Sequence, residues 1–472
     1  YLQIFKGEYY RQFSEKNSLR KSRVKGPRGL VFDRNHQLLV DNRLSLNLTI
    51  TPQFAPDPKH IVEKIAQWGD LDFAELWQRY RKKARRSPKF SPITILENSP
   101  WNLVARVASE QGSLGGLDIE PNIKRVYLDE EVGSHLFGYT SEVNRRDIKI
   151  AEKKGEKYEP GDIIGRYGLE KAWEKQLRGI DGYEFSVVDA LGRKIIDQEQ
   201  GVLDLFERST PPSPGKNLVL TIDRDLQIAA SNAMGDMNGS VVAIDPRTGE
   251  ILAMHSQPGF DANILMDDPK YWKEIISNPL NPLRNKAIQD HFPPGSTFKP
   301  IPLLAGLEKK IINEKTKFFC HGSLDFGNKT YHCHKKTGHG WVDLYRSLEQ
   351  SCDVYFYHLA QKISVDAFSE VARWFGMGSK TSIKLNNEVP GLVPTKEWKR
   401  KRFGRKWQKG ETLTTAIGQS YNLTTPIQLA VAYAAITNGG KLFRPFLVSR
   451  VEEQTGEVSK EYTAELLESH AI

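Results

Sequence analysis

The most constraining feature of this chain is the segment Pro-Pro-Gly-Ser-Thr-Phe-Lys at residues 293–299. The Pro-Pro-Gly turn and the apolar stretch after it place Ser296 at the first turn of a predicted helix. Lys299 lies three residues further on, so both side chains lie on one helix face within reach of each other. A serine hydroxyl needs a neighbouring base, and a buried, unprotonated lysine near a helix N-terminus can be that base. The spacing therefore predicts a nucleophile and its base.

The Ser-x-x-Lys spacing alone is a weak signal, because it recurs at Ser18–Lys21, Ser22–Lys25 and Ser213–Lys216. Those copies lie in basic or proline-rich loops, where we attribute them to chance. At Ser296 the preceding turn and the following apolar residues favour the functional interpretation.

A second polar pair, Ser351 and Asp353, precedes an apolar run at residues 354–359. Residues two apart project the same way from extended backbone, or from a loop before a helix. Such a pair could pass a proton and orient a lysine. The alternative is that Ser351 or Asp353 caps the following helix. Downstream of Ser-x-x-Lys we favour the catalytic interpretation, and both can hold.

The chain also contains a cluster of potential metal ligands with the spacing Cys-x12-Cys-x5-His-x12-Cys: Cys320, Cys333, His339 and Cys352. Three thiolates and an imidazole suit a tetrahedral structural zinc site. His332 or His334 could replace His339, and one disulfide plus a free thiol is the alternative in an oxidising compartment. Because Cys352 lies between Ser351 and Asp353, a metal here would fix that pair in place.

The 472 residues carry a net charge of +9, and two basic runs stand out, at residues 79–86 and 396–409. Trp398, Phe403 and Trp407 are interleaved with the second run. Aromatic and basic residues together can bind single-stranded nucleic acid. No nucleic-acid fold motif accompanies either run, so we favour a solvated surface with packed aromatics and expect no nucleic-acid partner.

The clearest linker is the proline-rich stretch at residues 209–216, which predicts the main domain boundary. We expect an N-terminal region at 1–215, with a subdomain inserted at about 51–160, and a second domain at 216–472. Mixed helical and strand patterns predict an α+β multidomain protein. Predicted helices cover 57–86, 341–363, 364–376 and 425–437, and another starts within 461–472. Predicted hairpins cover 182–195 and 241–254, and predicted strands cover 442–451.

Taken together, several segments resemble the class B penicillin-binding proteins of the elongation type, penicillin-binding protein 2, over nearly the whole chain. Ser-x-x-Lys is a signature of penicillin-binding proteins and serine β-lactamases. The segments that carry the resemblance are Arg28 to Asn35, His135 to Thr140, Gly165 to Gly182, Leu220 to Asp223, Asp245 to Pro258, Pro293 to Lys299, Ser351 to Asp353, Gly418 to Ser420, and Thr425-Pro426.

The resemblance implies an elongated N-terminal pedestal carrying a head, followed by a transpeptidase domain with an antiparallel sheet flanked by helices. It implies a peptidoglycan DD-transpeptidase that cross-links stem peptides during cell elongation and is acylated by β-lactams. Its expected place is the inner membrane, held by one N-terminal helix that precedes this chain, with the catalytic domain in the periplasm. A RodA-like glycosyltransferase and an MreC-like scaffold are the implied partners.

The resemblance also implies a role for each candidate residue. Ser296 would attack the D-Ala-D-Ala bond with Lys299 as general base, while Ser351 relays the proton and Asp353 is its partner. Asp353 in place of asparagine points to the elongation type. The Cys320, Cys333, His339 and Cys352 set looks like a zinc site described for this branch.

The family's third motif, Lys-Thr/Ser-Gly, lies on a strand well after the second motif. Here Lys336-Thr337-Gly338 precedes Ser351 and shows no strand pattern, so we interpret it as a coincidence. We expect the true third motif beyond Ile472, in a chain that is truncated at both ends, and the activity of this piece is open.

Three other functions remain from the sequence. One is a hydrolase of the same chemistry, although the large N-terminal region and the lack of a local deacylating carboxylate disfavour a β-lactamase. Another is a non-catalytic penicillin-binding scaffold or β-lactam sensor of the same fold. A zinc hydrolase is remote, because a Cys3His set leaves no open coordination position.

Overall fold

The computed structural model describes residues 19–85, 87–110, 113–187 and 209–471. The strands are β1 (Leu19–Val24), β2 (Val31–Phe32), β3 (Leu38–Ile50), β4 (Ile93–Leu96), β5 (Leu117–Tyr127), β6 (Thr140–Glu142), β7 (Ile163–Gly165), β8 (Gly182–Val187), β9 (Asn217–Leu220), β10 (Gly239–Ile244), β11 (Ile251–Gln257), β12 (Phe318–Cys320), β13 (Ser323–Phe326), β14 (Lys329–His332), β15 (Gly340–Val342), β16 (Lys441–Phe443), β17 (Val448–Glu452), β18 (Val458–Glu461) and β19 (Leu466–Ser469).

The helices are α1 (Pro58–Gly69), α2 (Phe73–Ala84), α3 (Trp101–Glu110), α4 (Ser134–Phe137), α5 (Arg145–Lys153), α6 (Gly168–Ala172), α7 (Glu174–Leu177), α8 (Arg224–Met234), α9 (Pro269–Ser277), α10 (Lys286–Gln289), α11 (Pro300–Glu308), α12 (Leu344–Glu349), α13 (Asp353–Lys362), α14 (Val365–Trp374), α15 (Lys396–Phe403), α16 (Lys409–Ala416) and α17 (Pro426–Thr437). The predicted α+β class is confirmed. No helix among the described residues is both long and apolar enough to span a membrane.

A seven-stranded sheet connects the two halves of the chain, in the order β18-β17-β9-β2-β3-β4 with β5 also paired to β3. Strand β9 lies between β2, to which it is parallel, and β17, to which it is antiparallel. All four residues of β9 are buried, as expected for a strand in the middle of a sheet. The pairing of β9 with β2 therefore joins residues on both sides of the domain boundary predicted at residue 215. The boundary itself stays a prediction.

The subdomain around residues 51–116 has its own apolar core, to which β3, β4 and helices α1 to α3 contribute. The helical region predicted at 57–86 is confirmed, and it consists of two helices, α1 and α2, with a turn between them. Asp70 takes a left-handed conformation with φ 51° after α1, and the Asp72 carboxylate then accepts the Glu75 N–H and caps α2. This change of direction lets both helices pack on one sheet face.

A buried ion network holds the N-terminal half together. Glu170 accepts one hydrogen bond from Arg28 at 2.9 Å and another from Arg125 at 2.7 Å. Burial alone would raise the pKa of Glu170, but the charges of Arg125 and Arg28 hold that pKa below its ordinary value. These three residues come from distant parts of the sequence, so the network fixes the N-terminal segment against β5 and α6.

The C-terminal half is built around α13, whose Tyr355, Phe356 and Leu359 are fully buried. The predicted hairpin at 241–254 is confirmed as β10 and β11, and α14 and α17 confirm the helices at 364–376 and 425–437. The strands predicted at 442–451 are confirmed as β16 and β17.

Three other elements differ from the sequence predictions. The helix predicted over 341–363 is divided into β15, which pairs with β12, and two helices, α12 and α13, which are separated by the left-handed Ser351. The helix expected from residue 461 is wrong, since β19 pairs with β16 and so satisfies its backbone hydrogen bonds in a sheet. In the hairpin predicted at 182–195, β8 pairs with β1, and the turn at 189–192 lies outside the described residues.

The junction between the two halves buries His135, which the structure places on α4 against the C-terminal half. Its Nε2 atom contacts the Pro282 carbonyl, and its ring packs edge-on against Phe260 with centroids 5.3 Å apart. Burial lowers the pKa of His135 from 6.5 to about 3. The imidazole is therefore neutral in the folded protein at neutral pH.

We predict that acid weakens the folded state through His135. Below pH 6.5 the unfolded chain protonates this histidine, whereas the folded chain does so only near pH 3. The free energy of unfolding should therefore fall by about 1.4 kcal/mol for each pH unit below 6.5. Urea unfolding at pH 7.5 and 5.5 checks this, because His135→Gln should reduce the difference between the two values. The exposed His60→Gln is the control, and an unchanged pH dependence in His135→Gln would contradict the prediction.

Candidate active site

Ser296 lies in a short 3₁₀ turn, Gly295–Phe298, that leads directly into α11. The side chain of Ser296 is exposed, whereas Lys299 is only 1% exposed. Pro300 occupies the first helical position, where its missing N–H leaves no donor unsatisfied. The local sequence therefore presents the serine to solvent and turns the lysine inward.

The buried Lys299 ammonium has three acceptors. Its Nζ donates to Asp353 Oδ1 at 2.7 Å, to Ser351 Oγ at 2.8 Å and to the Ser351 carbonyl at 2.7 Å. Ser351 Oγ in turn donates to Ser296 Oγ at 2.9 Å. The structure thus brings together all four residues that the sequence singled out, and it connects Lys299 to Ser296 through Ser351.

Ser351 owes its position to a left-handed backbone conformation, with φ 49°, between α12 and α13. Such a conformation costs a non-glycine residue about 1–2 kcal/mol. The N-cap of α13 is Cys352, which makes no side-chain capping bond, so the interpretation of Ser351 or Asp353 as the cap is wrong. The break directs the Ser351 carbonyl and hydroxyl at Lys299.

The second oxygen of Asp353 faces the loop that follows β14. Oδ2 accepts the backbone N–H of His334 at 3.0 Å, and His334 Nδ1 lies 3.6 Å from the same oxygen. One carboxylate therefore joins Lys299 to the loop that contains Cys333.

The four predicted metal ligands come together beside this loop. The ligand atoms of Cys320, Cys333, His339 and Cys352 all lie within 4.8 Å of one another. His339 Nδ1 is 3.6 Å from the sulfur atoms of Cys320 and Cys333, and all three cysteines are buried and free of disulfides. A tetrahedral zinc ion with Zn–S bonds of about 2.3 Å would place its sulfur ligands about 3.8 Å apart. The cluster could therefore hold a metal ion.

The structure selects among the alternatives that the sequence left open. The disulfide alternative is wrong, since the cysteines are free. His339 completes the group of three cysteines, while His334 forms a separate small group with Cys333 and Asp353. Lys336-Thr337-Gly338 lies in the loop between β14 and β15, whereas the family's third motif lies on a strand.

Ser296 opens into a cavity of about 380 Å³. The residues that line it are Gly295, Ser296, His332, Cys333, His334, Asp353, Tyr357, Ile417 and Gln419. Sequence reasoning did not assign His332, Tyr357, Ile417 or Gln419 to the site. The segment Gly-Gln-Ser at 418–420 contributed only to the family resemblance. Its glycine was the sequence signal that could have placed this loop at the site.

Gly418 packs backbone against backbone on the turn that carries Ser296. It has φ 72°, and its carbonyl accepts the Gly295 N–H at 2.9 Å. A Cβ atom at this position would lie 2.0 Å from the Gly295 carbonyl oxygen. Only glycine permits this approach, so Gly418 fixes the distance between the loop and the turn.

Two family models match the chain. The Penicillin-binding Protein dimerisation domain matches residues 23–220, and the Penicillin binding protein transpeptidase domain matches residues 239–470. The peptidoglycan D,D-transpeptidase MrdA of Acinetobacter baumannii is 33% identical over 95% of this chain and 66% of its own length. The protein of the same name from Escherichia coli K12 is 32% identical over 97% of this chain and 72% of its own length. The chain belongs to the penicillin-binding proteins, in the peptidoglycan D,D-transpeptidase family.

A solved structure agrees with this assignment. The penicillin-binding protein PBP2 of Helicobacter pylori, determined in complex with MreC, matches with a TM-score of 0.78 and 29% identity. The match covers 92% of this chain and 81% of that protein. The resemblance to penicillin-binding protein 2 and the two-domain fold that it implied are therefore confirmed. This chain spans about two thirds of the A. baumannii relative and somewhat more of the E. coli one.

We predict that Gly418→Ala disturbs the site of this penicillin-binding protein. The added methyl group would collide with the Gly295 carbonyl, so acylation by benzylpenicillin in the full-length gene product should slow at least about tenfold, as expected for a displaced reacting group. Gly404→Ala is the matched control, because Gly404 has φ 66° but no heavy atom within 4 Å of the new carbon. Equal acylation rates in the two folded variants would refute this role of Gly418.

Proposed function

We propose that the chain contains the acylating centre of a serine-type peptidoglycan D,D-transpeptidase, with Ser296 as its nucleophile. The observation that carries the proposal is the continuous path Lys299–Ser351–Ser296, which ends at a hydroxyl exposed in a cavity. A nucleophilic serine needs a base within hydrogen-bond reach, and a third group that orients this base. Lys299 supplies the base and Asp353 the orienting group.

The proton path uses these contacts in the reverse direction: once Lys299 is unprotonated, Ser296 donates to Ser351 and Ser351 donates to Lys299. When Ser296 Oγ attacks the carbonyl of the penultimate D-Ala, its proton passes to Ser351 Oγ, and the Ser351 proton passes to an unprotonated Lys299. The same route returns a proton to the departing D-Ala amine. An ester between Ser296 and the stem peptide results.

The second half-reaction reverses these roles. An amine from a neighbouring strand attacks the ester, its surplus proton leaves through Ser351 and Lys299, and Ser296 regains its hydroxyl proton. The products are a cross-linked peptide and the free enzyme. A β-lactam enters by the same attack, and its ring-opened ester occupies Ser296.

Lys299 can accept a proton only after it has lost one. In the structure all three N–H donors of its ammonium group have acceptors. Asp353 stabilises the charged form of Lys299 in this resting arrangement, and it does so again each time Lys299 takes up the proton of Ser296. We therefore propose Asp353 as the residue that holds Lys299 in register with Ser351.

The metal that suits the Cys320, Cys333, His339 and Cys352 set is zinc, because soft thiolate donors in a four-ligand set favour it. With four protein ligands the ion would be structural. Bound there, the ion would hold the His334 N–H in place against Asp353. It would also fix Cys352, and with it the neighbouring residues Ser351 and Asp353.

Family membership supports three further proposals about setting and partners. We place the catalytic domain in the periplasm, with attachment to the inner membrane. An MreC-like scaffold is a proposed partner, supported by the complex of the H. pylori protein with MreC. A RodA-like glycosyltransferase is the proposed source of the strands to be cross-linked.

We predict that Ser296→Ala abolishes covalent labelling by benzylpenicillin in the full-length gene product, because the ester oxygen is removed. Intact mass and peptide mapping of the full-length protein and of this chain in parallel measure the adduct. Ser213→Ala is the control, since Ser213–Lys216 has the same spacing without the cavity. An adduct that persists in folded Ser296→Ala would eliminate the assignment of the nucleophile. Labelling without cross-linking of stem peptides would favour a β-lactam sensor.

We predict about one zinc ion per chain, measured by elemental analysis. Cys333→Ser should lose the metal, lower the melting temperature by about 5 °C or more and slow acylation, because a structural site contributes folding free energy. His332→Ala is the control for zinc content and melting temperature, since His332 neighbours the cluster without belonging to it. Full zinc content in Cys333→Ser, or a metal-free wild-type protein, would overturn the assignment.

A further inference from the structure

A strongly basic surface near the catalytic cavity has no role in the mechanism above. We call residues 400–409 the cationic segment; it comprises the end of α15, a connecting loop and the first residue of α16. Its exposed cations are Arg400, Lys401, Arg402, Arg405, Lys406 and Lys409. Lys401 pairs with Glu397 at 2.8 Å, whereas the other five have no carboxylate partner among the described residues.

Helix stability accounts for only some of these charges. The helix dipole favours Arg400, Lys401 and Arg402 in the last turn of α15, but it does not act on Arg405 and Lys406 in the loop. A helix stabilised by its surface charges pairs them with opposite charges three or four residues away, and α15 offers one such acid for its cations. Lys409 opens α16, where the helix dipole disfavours a positive charge. Five unpaired cations within ten residues also repel one another. Their number indicates a partner outside the chain.

The cationic segment is held on a fixed base. The rings of Trp398, Phe403 and Trp407 surround Tyr421, with centroids 5.2, 5.6 and 6.2 Å away from its ring. Below them the buried Lys399 pairs with Glu411. The aromatic residues of this basic run therefore pack on Tyr421, and the charged side chains extend from an ordered backbone.

Helix α16 connects the cationic segment to the edge of the catalytic cavity. This helix begins at the last residue of the segment and leads to Ile417 and Gln419, which both line the cavity. The Gly410 carbonyl accepts a hydrogen bond from Tyr331, whose neighbour His332 also lines the cavity. A ligand that extends out of the cavity on this side would meet the unpaired cations.

We propose that the cationic segment is a subsite for carboxylates on the part of an acidic peptide substrate that extends beyond the catalytic cavity. The inference rests on the proposed function, because it takes the bond attacked by Ser296 as the anchor of that peptide. The cations add long-range attraction and orientation, so they favour peptides with free carboxylates over neutral ones of the same shape. A peptide is the favoured partner because the segment adjoins a cavity for a peptide end, and the aromatic rings are occupied by Tyr421.

The test compares two probes and two matched variants of the full-length protein. The probes are a pentapeptide ending in D-Ala-D-Ala with two free side-chain carboxylates and the same peptide with both carboxylates amidated. The first variant is Arg402→Gln/Arg405→Gln/Lys406→Gln. The second removes three exposed cations from α5 in the other half of the chain, as Arg146→Gln/Lys149→Gln/Lys153→Gln. Each peptide competes with benzylpenicillin for acylation, which gives its inhibition constant.

We expect the first variant to raise the inhibition constant of the carboxylate peptide about five- to tenfold, since each exposed ion pair contributes a factor of about two. The amidated peptide and the α5 variant should show no change, and the effect should shrink in 0.5 M salt, where the screening length falls to about 4 Å. Equal effects on both peptides, equal effects in both variants, or no effect would overturn the subsite. Loss of binding to phosphatidylglycerol vesicles, with unchanged inhibition constants, would assign the surface to lipid and also overturn it.

These outcomes are separable from failure of the proposed function. If benzylpenicillin does not acylate Ser296 in the wild-type protein, the catalytic assignment fails first. If acylation is normal in every variant and the carboxylates make no difference, the subsite alone fails.

Discussion

The contact on which the rest of the site depends is the buried Lys299 ammonium with its three acceptors. Burying a charge without a partner costs several kcal/mol of folding free energy, so each acceptor must stay within hydrogen-bond distance of the ammonium group. Two of the acceptors belong to Ser351 and the third belongs to Asp353. Ser351 lies just before α13, and Asp353 is the first residue of this helix. This requirement explains why the chain tolerates a left-handed serine between two helices. A regular helix through residues 344–362 would carry the Ser351 carbonyl into an intrahelical bond and away from Lys299.

The surroundings extend this constraint outward. The cysteine and histidine cluster reaches the lysine through the His334 N–H and Asp353, and the Gly418 loop reaches the nucleophile through the Gly295 turn. The sheet fixes the two halves of the chain against each other, because β9 pairs with strands of both halves. Glu170, held between Arg28 and Arg125, fixes the N-terminal side of that arrangement. The four candidate residues thus lie on elements whose positions are determined by buried polar contacts from several directions.

The sequence was sufficient for the residues that meet at the site, because Ser296, Lys299, Ser351 and Asp353 belong to short motifs with their own spacing. It was also sufficient for the three cysteines and the histidine that come together in a cluster able to hold a metal ion. It failed where the outcome depends on partners distant in the chain. The break at Ser351 exists because of Lys299, and the strand at 466–469 exists because β16 offers an edge. The close approach of Gly418 to Gly295 appears only once both loops are in place. The periodicity of apolar residues predicts each helix or strand separately, and it does not show which distant segments will contact one another.

The same charges that organise the centre leave it weakly attractive to an anionic ligand. Asp353 compensates Lys299, so this lysine adds little positive field at the mouth of the cavity. The net charge of +9 must therefore act from elsewhere on the surface, and the unpaired cations of residues 400–409 are connected to the cavity lining at Ile417 by α16. A division of labour follows from this arrangement. In the mechanism and the subsite that we propose, the Lys299–Asp353 pair inside the cavity transfers the proton, and the unpaired cations outside it attract the charge of the approaching peptide. Chemistry and selectivity can then change independently, because they rest on different residues of adjoining elements.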